Sequence, residues 1–274
     1  MTGSLAGKVA IVTGASSGVG EATARLFAQH GAHVVVAART ADKIEALAKQ
    51  IDGLAVATDV TRVADLEALI AKTVAAYGRI DVLVNNAGTN TRGDFATLDP
   101  AGIAAIVDTN LKAPMLLTRF AMEYLVASRG VVVNVASIAG HVPLPGESPY
   151  CASKWGLRGF TFAVNEEMRA RGVSLCAVSP GPISTPFVLD DLDNTPDLVF
   201  SQPFLTAEDV AGAVLACTQD RKRERAMPAS TLFLARLVQW APWPQEWVRP
   251  ALEKEGARIK EEWRAKAKAG RASP

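Results

Sequence analysis

The sequence predicts an α/β protein: a doubly wound parallel β-sheet flanked by helices on both faces, with a C-terminal helical extension. Three observations predict it. Short β-branched runs alternate with longer helical patterns from the start of the chain. Most of those runs are apolar throughout rather than alternating, as strands buried on both faces of a parallel sheet must be. The turn after the first run is rich in glycine and opens directly into a helical pattern.

The elements follow in order. Val9–Val12, His33–Ala37, Leu54–Ala57, Val82–Val84, Val131–Val135 and Val173–Val178 read as strands. Between them Glu21–Gln29, Ala41–Gln50, Val63–Tyr77, Ile103–Val126 and Tyr150–Arg169 read as helices. Repeated strand–helix units imply right-handed crossovers. The segment from Ser184 to Thr206 is rich in Pro, Asp and bulky apolar residues and shows no period. It is too long for an ordinary connection, which makes it a lid or binding loop. Beyond Arg225 the rhythm stops: Ser230–Trp240 is strongly apolar, Pro242, Pro244 and Pro250 follow, then a charged helix. Residues 1–228 therefore read as one α/β domain and residues 229–274 as an apolar and helical extension, packed on the domain or on a partner subunit.

Bulk properties narrow the class. The chain has 274 residues, of which 49% are apolar and 21% charged, as in ordinary globular proteins. A net charge of +1 supplies no field to recruit nucleic acid. Cys151, Cys176 and Cys217 are odd in number and contain no CxxC pair, which argues against a disulfide framework or a zinc site and suits a reducing cytosol. The N-terminus carries no basic region followed by an apolar stretch, so no signal peptide is expected. The longest membrane candidate, Leu232 to Trp243, is broken by Arg236 and Pro242.

The segment Thr13-Gly14-Ala15-Ser16-Ser17-Gly18-Val19-Gly20 joins the first strand to the first helix. Glycines permit a tight turn and close approach of backbone to a pyrophosphate, and the helix N-terminus points N–H groups at the anion. After the second strand comes Ala38-Arg39-Thr40, where NAD-binding chains usually place an acid for the ribose 2′-hydroxyl. A guanidinium and a hydroxyl suit a 2′-phosphate instead. This predicts a preference for NADP(H), with NAD(H) as the alternative.

Tyr150 and Lys154 stand four residues apart, about one helical turn, and project from the same face. Ser137 lies at the end of the apolar run Val131–Val135. Reducing a ketone needs a hydride and a proton. A phenol of pKa about 10 can give that proton at neutral pH, and a neighbouring ammonium is expected to favour the phenolate. Tyr150 thus serves as acid in reduction and as base in oxidation, with Ser137 polarising the carbonyl.

With these motifs in place, and with Asn85-Asn86-Ala87-Gly88, Asn110 and Pro180-Gly181 in order behind them, the chain resembles the short-chain dehydrogenase/reductase family in its compact, Rossmann-like branch. The likeness spans roughly Gly7 to Thr218. It implies that Asn110 holds a water behind Lys154 and that Lys154 bonds the nicotinamide ribose. It implies further that Asp59 and Val60 contact adenine, and that Asn86, Ala87 and Gly88 lie beside the adenine-side ribose. Pro180, Gly181, Ile183 and Thr185 would hold the carboxamide. A homodimer or homotetramer is implied, with a dimer through helices spanning about 103–126 and 150–169.

By the same likeness two stretches frame the substrate. One carries Val142, Pro143, Leu144 and Pro145. The other carries Phe187, Val188, Leu189, Leu192, Leu198, Val199, Phe200, Phe204 and Leu205. Neither holds an Arg or Lys, so a bulky apolar carbonyl compound is expected, and His141 is a further pocket candidate or a solvated loop residue. NAD-linked alcohol oxidation and a cofactor-sensing binding protein are the alternatives. The tail departs from the family. Val248, Leu252, Ile259 and Trp263 are expected on one helix face. Such a tail could cover the pocket, pack on a second subunit or lie on a membrane surface.

Overall fold

The computed structural model describes residues 3–229 and 243–268. Among the described residues all the strands run parallel in one seven-stranded sheet of order β3-β2-β1-β4-β5-β6-β7. They are β1 (Val9–Thr13), β2 (His33–Ala38), β3 (Leu54–Ala57), β4 (Val82–Asn85), β5 (Val131–Val135), β6 (Ser174–Pro180) and β7 (Glu224–Met227). The order reverses between β1 and β4, and in such sheets ligands bind beyond the strand C-termini at that point.

The continuous apolar runs are explained by the two faces. Ala10, Val12, Val34, Val36, Val82 and Val84 pack on one side, with Phe27 of helix α1 (Gly18–Gln29). Ile11, Val35 and Leu83 pack on the other, against Leu66 and Leu117. Helices α2 (Ala41–Ile51) and α3 (Val63–Tyr77) fall where the sequence predicts them. Asn85 and Asn134, polar residues at paired positions of β4 and β5, satisfy each other by a 2.8 Å bond, and Asn134 donates onward to Thr161.

The helix expected over 103–126 is instead two, α4 (Pro100–Val107) and α5 (Ala113–Ser128), joined by a widened turn of π type at Asp108–Lys112. The reason is Pro114, which has no N–H to give the carbonyl of Asn110 and whose ring crowds it. Next come α6 (Ser148–Met168), then two short helices within the segment after β6, α7 (Pro186–Leu189) and α8 (Asp197–Phe200). Helix α9 (Ala207–Asp220) starts on a reciprocal cap between Thr206 and Asp209.

Helix α10 (Trp243–Lys268) packs on α8. Its inward residues are Gly256, Lys260 and Trp263, while Leu252 is 42% exposed. Of the expected face, Val248, Leu252, Ile259 and Trp263, Trp263 packs inward while Leu252 turns to solvent. The side chain of Val248 and the apolar stretch Ser230–Trp240 lie outside the described residues. Among the described residues no helix is long and apolar enough to cross a membrane.

Candidate active site

The C-terminal ends of β1, β2, β4, β5 and β6 open into a cleft of about 600 Å³. At one end lie Arg39, Thr40, Asp59 and Val60, and at the other Ser137, Tyr150 and Lys154.

The glycine turn forms the floor. Gly14 and Gly18 hold φ of +66° and +55°, the left-handed region that glycine enters without a steric penalty. Ser16, Ser17, Gly18 and Val19 line the cleft, and α1 begins at Gly18 with its first N–H groups at that surface. Gly20 does not line it. A Cβ there would stand 2.2 Å from the Gly14 carbonyl oxygen, so Gly20 lets the helix close on the turn. The adjoining strand end is stitched to the same turn: the backbone N–H groups of Asn86 and Ala87 donate to Thr13 Oγ1 at 3.0 and 3.1 Å. Asn86 Nδ2 also donates to the Thr13 carbonyl at 2.9 Å. This seats Asn86, Ala87 and Gly88 in the cleft wall.

Arg39 and Thr40 are exposed at the rim, at the N-terminus of α2. Asp59 accepts from the backbone N–H and hydroxyl of Thr61, which holds its carboxyl below the usual range. On the far wall the Gly181 N–H donates to the Met227 carbonyl at 2.7 Å, fixing Pro180-Gly181 on β7. Ile183 pairs with Leu205, and Thr185 places its methyl carbon 3.2 Å from where a Gly18 Cβ would stand.

Ser137 lies just beyond β5 in extended backbone, and its Oγ accepts from the Ala139 N–H at 3.1 Å. Its hydroxyl also acts on the Tyr150 phenol, easing the loss of the phenolic proton. Lys154, one turn along α6, is 4% exposed and donates to the Val135 carbonyl at 2.8 Å. Its Nζ stands 5.6 Å from the centre of the Tyr150 ring. Asn110 is fully buried and does not line the cleft. It sits behind Thr89, accepting from that N–H at 2.8 Å and donating to its carbonyl at 2.9 Å. Asn110 also donates to Ser153 Oγ at 3.1 Å, which couples the widened turn to α6.

The electrostatics differ from the sequence expectation on one point. Burial, and next the charge of Glu147, push the Tyr150 phenol up, although a strip of it stays open to the cleft. The Ser137 hydroxyl and the Arg92 charge only partly oppose this. The protein's own groups therefore keep Tyr150 protonated at neutral pH instead of favouring the phenolate. Burial lowers the Lys154 ammonium to about 8, so this group titrates close to neutrality.

The sequence reading missed a cation at the substrate end. Arg92 lines the cleft, and its Nε donates to Glu147 Oε1 at 2.7 Å and its NH1 to Asp191 Oδ2 at 2.9 Å. Two carboxylates more than offset the single charge, so the guanidinium is not left free for an anionic substrate. Gln202 was missed as well: it lines the cleft, and its Oε1 is buried with no protein partner. The spacing of these residues follows no motif. Of the apolar residues expected at the substrate, Leu144, Phe187, Val188, Leu198 and Val199 line the cleft. Phe200 is instead fully buried beneath α10, its ring tilted against Phe204, which packs on Trp263. His141 neither lines the cleft nor meets solvent: it is 1% exposed and bonded to Glu224 at 2.7 Å.

Comparison with known proteins points the same way. The profile of the family described as short chain dehydrogenase matches residues 8–195. The chain is 38% identical over 188 residues to the 3-oxoacyl-(acyl-carrier-protein) reductase FabG of Thermotoga maritima, which covers 66% of this chain and 76% of that one. It is 34% identical over 228 residues to the mitochondrial borneol dehydrogenase of Lavandula x intermedia, covering 80% and 86%. Among solved structures, the 3-ketoacyl-(acyl-carrier-protein) reductase of Brucella melitensis complexed with NADH superposes with a TM-score of 0.76 at 29% identity. That match covers 83% of this chain and all of that one (100%).

Proposed function

Since the chain belongs to the short-chain dehydrogenase family, NAD(P)-dependent oxidoreductases of CH–OH and keto groups, we propose that it is an NADPH-dependent ketone reductase acting on a bulky apolar carbonyl compound. The observation that carries this reading is the meeting of the Tyr150 phenol, the Ser137 hydroxyl and the buried Lys154 at one end of a cleft floored by a glycine turn.

The cleft fits a dinucleotide. Gly14 and Gly18 clear the floor, and the α1 N-terminus offers N–H groups to a pyrophosphate. Ser16, Ser17 and Val19 flank it, with Asp59, Val60, Asn86, Ala87 and Gly88 toward the adenosine half. Pro180, Gly181, Ile183 and Thr185 face the nicotinamide half. Arg39 and Thr40 at the rim give a 2′-phosphate its partners, which favours NADP(H). The Brucella reductase solved with NADH is the observation that favours NAD(H) as the second reading.

A nicotinamide cofactor held in this cleft would supply the hydride for the carbonyl carbon. Ser137 donates a hydrogen bond to the carbonyl oxygen, and Tyr150 gives its phenolic proton to the alkoxide as it forms. Lys154, titrating near neutrality, replaces that proton, and Asn110 steadies the backbone at Thr89 behind it. The protonated phenol suits the reductive direction.

The apolar substrate reading rests on Leu144, Phe187, Val188, Leu198 and Val199, and on Arg92 being matched by two carboxylates. Relatives named for 3-oxoacyl and borneol chemistry support it. Residues 1–228 act as the catalytic domain, and 229–274 form an extension whose described helix, α10, packs on α8. Exposed Val107, Met115 and Trp155 on α4 to α6 support a homodimer through that face, and three buried free cysteines suit the cytosol. Tyr150→Phe tests the reading: NADPH binding persists while kcat falls by a factor of about 10² to 10⁴. Full activity in the folded variant would overturn it.

A further inference from the structure

The segment after β6 holds two short helices and little other regular structure, yet it lies over the substrate end of the cleft. Two buried cations reach it from opposite sides. Arg92 donates from the cleft wall to Asp191 Oδ2 at 2.9 Å and to the Phe187 carbonyl at 3.4 Å, and its guanidinium lies 5.6 Å from the centre of the Phe187 ring. Its other edge is held by Glu147 at 2.7 Å, so it ties this segment to the residue that begins the turn carrying Tyr150.

Lys260 reaches in from α10. Its Nζ donates to the carbonyls of Thr195 and Asp193 at 2.7 and 3.2 Å and to Asp197 Oδ1 at 3.1 Å. Three acceptors match the three donors of an ammonium, and the side chain is 9% exposed. The helix comes this close because of Gly256, where a Cβ would stand 1.9 Å from the Asp197 carbonyl oxygen. Arg264 adds a contact to Asp193 at 2.7 Å, and Trp263 packs on Phe204 at 5.0 Å. The opposite side of the same segment presents Phe187, Val188, Leu198, Val199 and Gln202 to the cleft.

We propose that Lys260 and Arg92 are positioning residues that pin residues 186–202 as the roof of the substrate pocket, so that the C-terminal helix is part of the substrate site. Neither cation touches the cofactor floor. The inference rests on the ketone-reductase reading for its kinetic consequence but not for its structural one. A roof held in place needs no ordering when the substrate arrives; one released from its pins must be ordered at that moment, and the substrate binds more weakly.

The test uses the full chain with Lys260→Met, Lys260→Arg and Gly256→Ala. For the best apolar ketone, Lys260→Met raises KM by about tenfold, with the NADPH Kd unchanged and kcat altered about twofold at most. Lys260→Arg restores part of the KM, and Gly256→Ala repeats the Lys260→Met pattern. Amide exchange across 186–202 quickens in Lys260→Met while that of β1 and α1 does not. Unchanged KM and unchanged exchange would overturn the proposal, as would an NADPH Kd that rises in step with KM. Should no ketone be reduced by the wild type, exchange decides alone. Faster exchange confined to 186–202 then upholds the pins while the reductase reading falls, and unchanged exchange removes the pins too.

Discussion

Arg92 and Glu147, the latter three residues ahead of Tyr150, form a buried ion pair, Nε to Oε1 at 2.7 Å. Both side chains are 5% exposed or less, and the pair stands between the proposed proton donor and the roof of the substrate pocket. Glu147 is one of the groups that push the Tyr150 phenol up, and Arg92 pulls it down.

Glu147→Gln therefore has a defined sign. It removes a charge that raises the phenol and leaves Arg92 less matched, and both changes ease the loss of the Tyr150 proton. In alcohol oxidation, where the phenolate is the active form, the rising limb of kcat/KM against pH moves to lower pH. In ketone reduction, where the phenol is active, the falling limb moves the same way. A profile superimposable on the wild type would show that Glu147 does not act on Tyr150.

Arg39→Ala tests the cofactor preference. Hydrogen bonds to charged groups are worth about 1.5–3 kcal/mol, so the ratio of kcat/KM with NADPH to that with NADH falls by roughly 10- to 100-fold. Activity with NADH changes little. An unchanged ratio would return Arg39 to the solvated surface, where its exposure already places it.

Gly18→Ala tests the floor. A left-handed alanine costs about 1–2 kcal/mol, and its methyl carbon would stand 3.2 Å from Thr185 Cγ2. The NADPH Kd rises by about tenfold or more, measured by titration of cofactor fluorescence. A Kd equal to that of the wild type would show that this turn does not approach the cofactor.

Glu224 offers a stability test away from the reaction. Burial raises its carboxyl, but bonds from His141 at 2.7 Å and Arg158 at 2.9 Å outweigh this and hold it at about 2, against 4.5. A depressed carboxyl stabilises the fold above the unfolded value and loses that contribution as pH falls through the folded one. The difference corresponds to about 3 kcal/mol, an order-of-magnitude figure, present above about pH 5 and lost toward pH 2. In urea unfolding, Glu224→Gln costs about this much at pH 7 and progressively less as the pH approaches 2. An equal cost at every pH would place the effect in packing.

The sheet was legible in the sequence because parallel strands buried on both faces leave unbroken apolar runs, as in Val34-Val35-Val36 and Val131-Val132-Val133. Local spacing also marked Gly14 to Gly20 and the Tyr150–Lys154 pair, since each lies within one turn of chain. Arg92 was not legible. Its partners Glu147 and Asp191 lie 55 and 99 residues away, and only the fold brings them together. The break before α5 was written in Pro114 and was overridden by the apolar pattern around it. The inward face of α10 was hidden for a different reason. It is built on a glycine and a lysine, Gly256 and Lys260, which a search for apolar periodicity passes over.

The measurement closest to the central claim is NADPH oxidation at 340 nm over ketones graded from small and polar to long and apolar, with NADH in parallel. The account predicts turnover concentrated on the apolar ketones and faster with NADPH. Equal turnover of small polar ketones, or no turnover of any ketone despite tight NADPH binding, would contradict it.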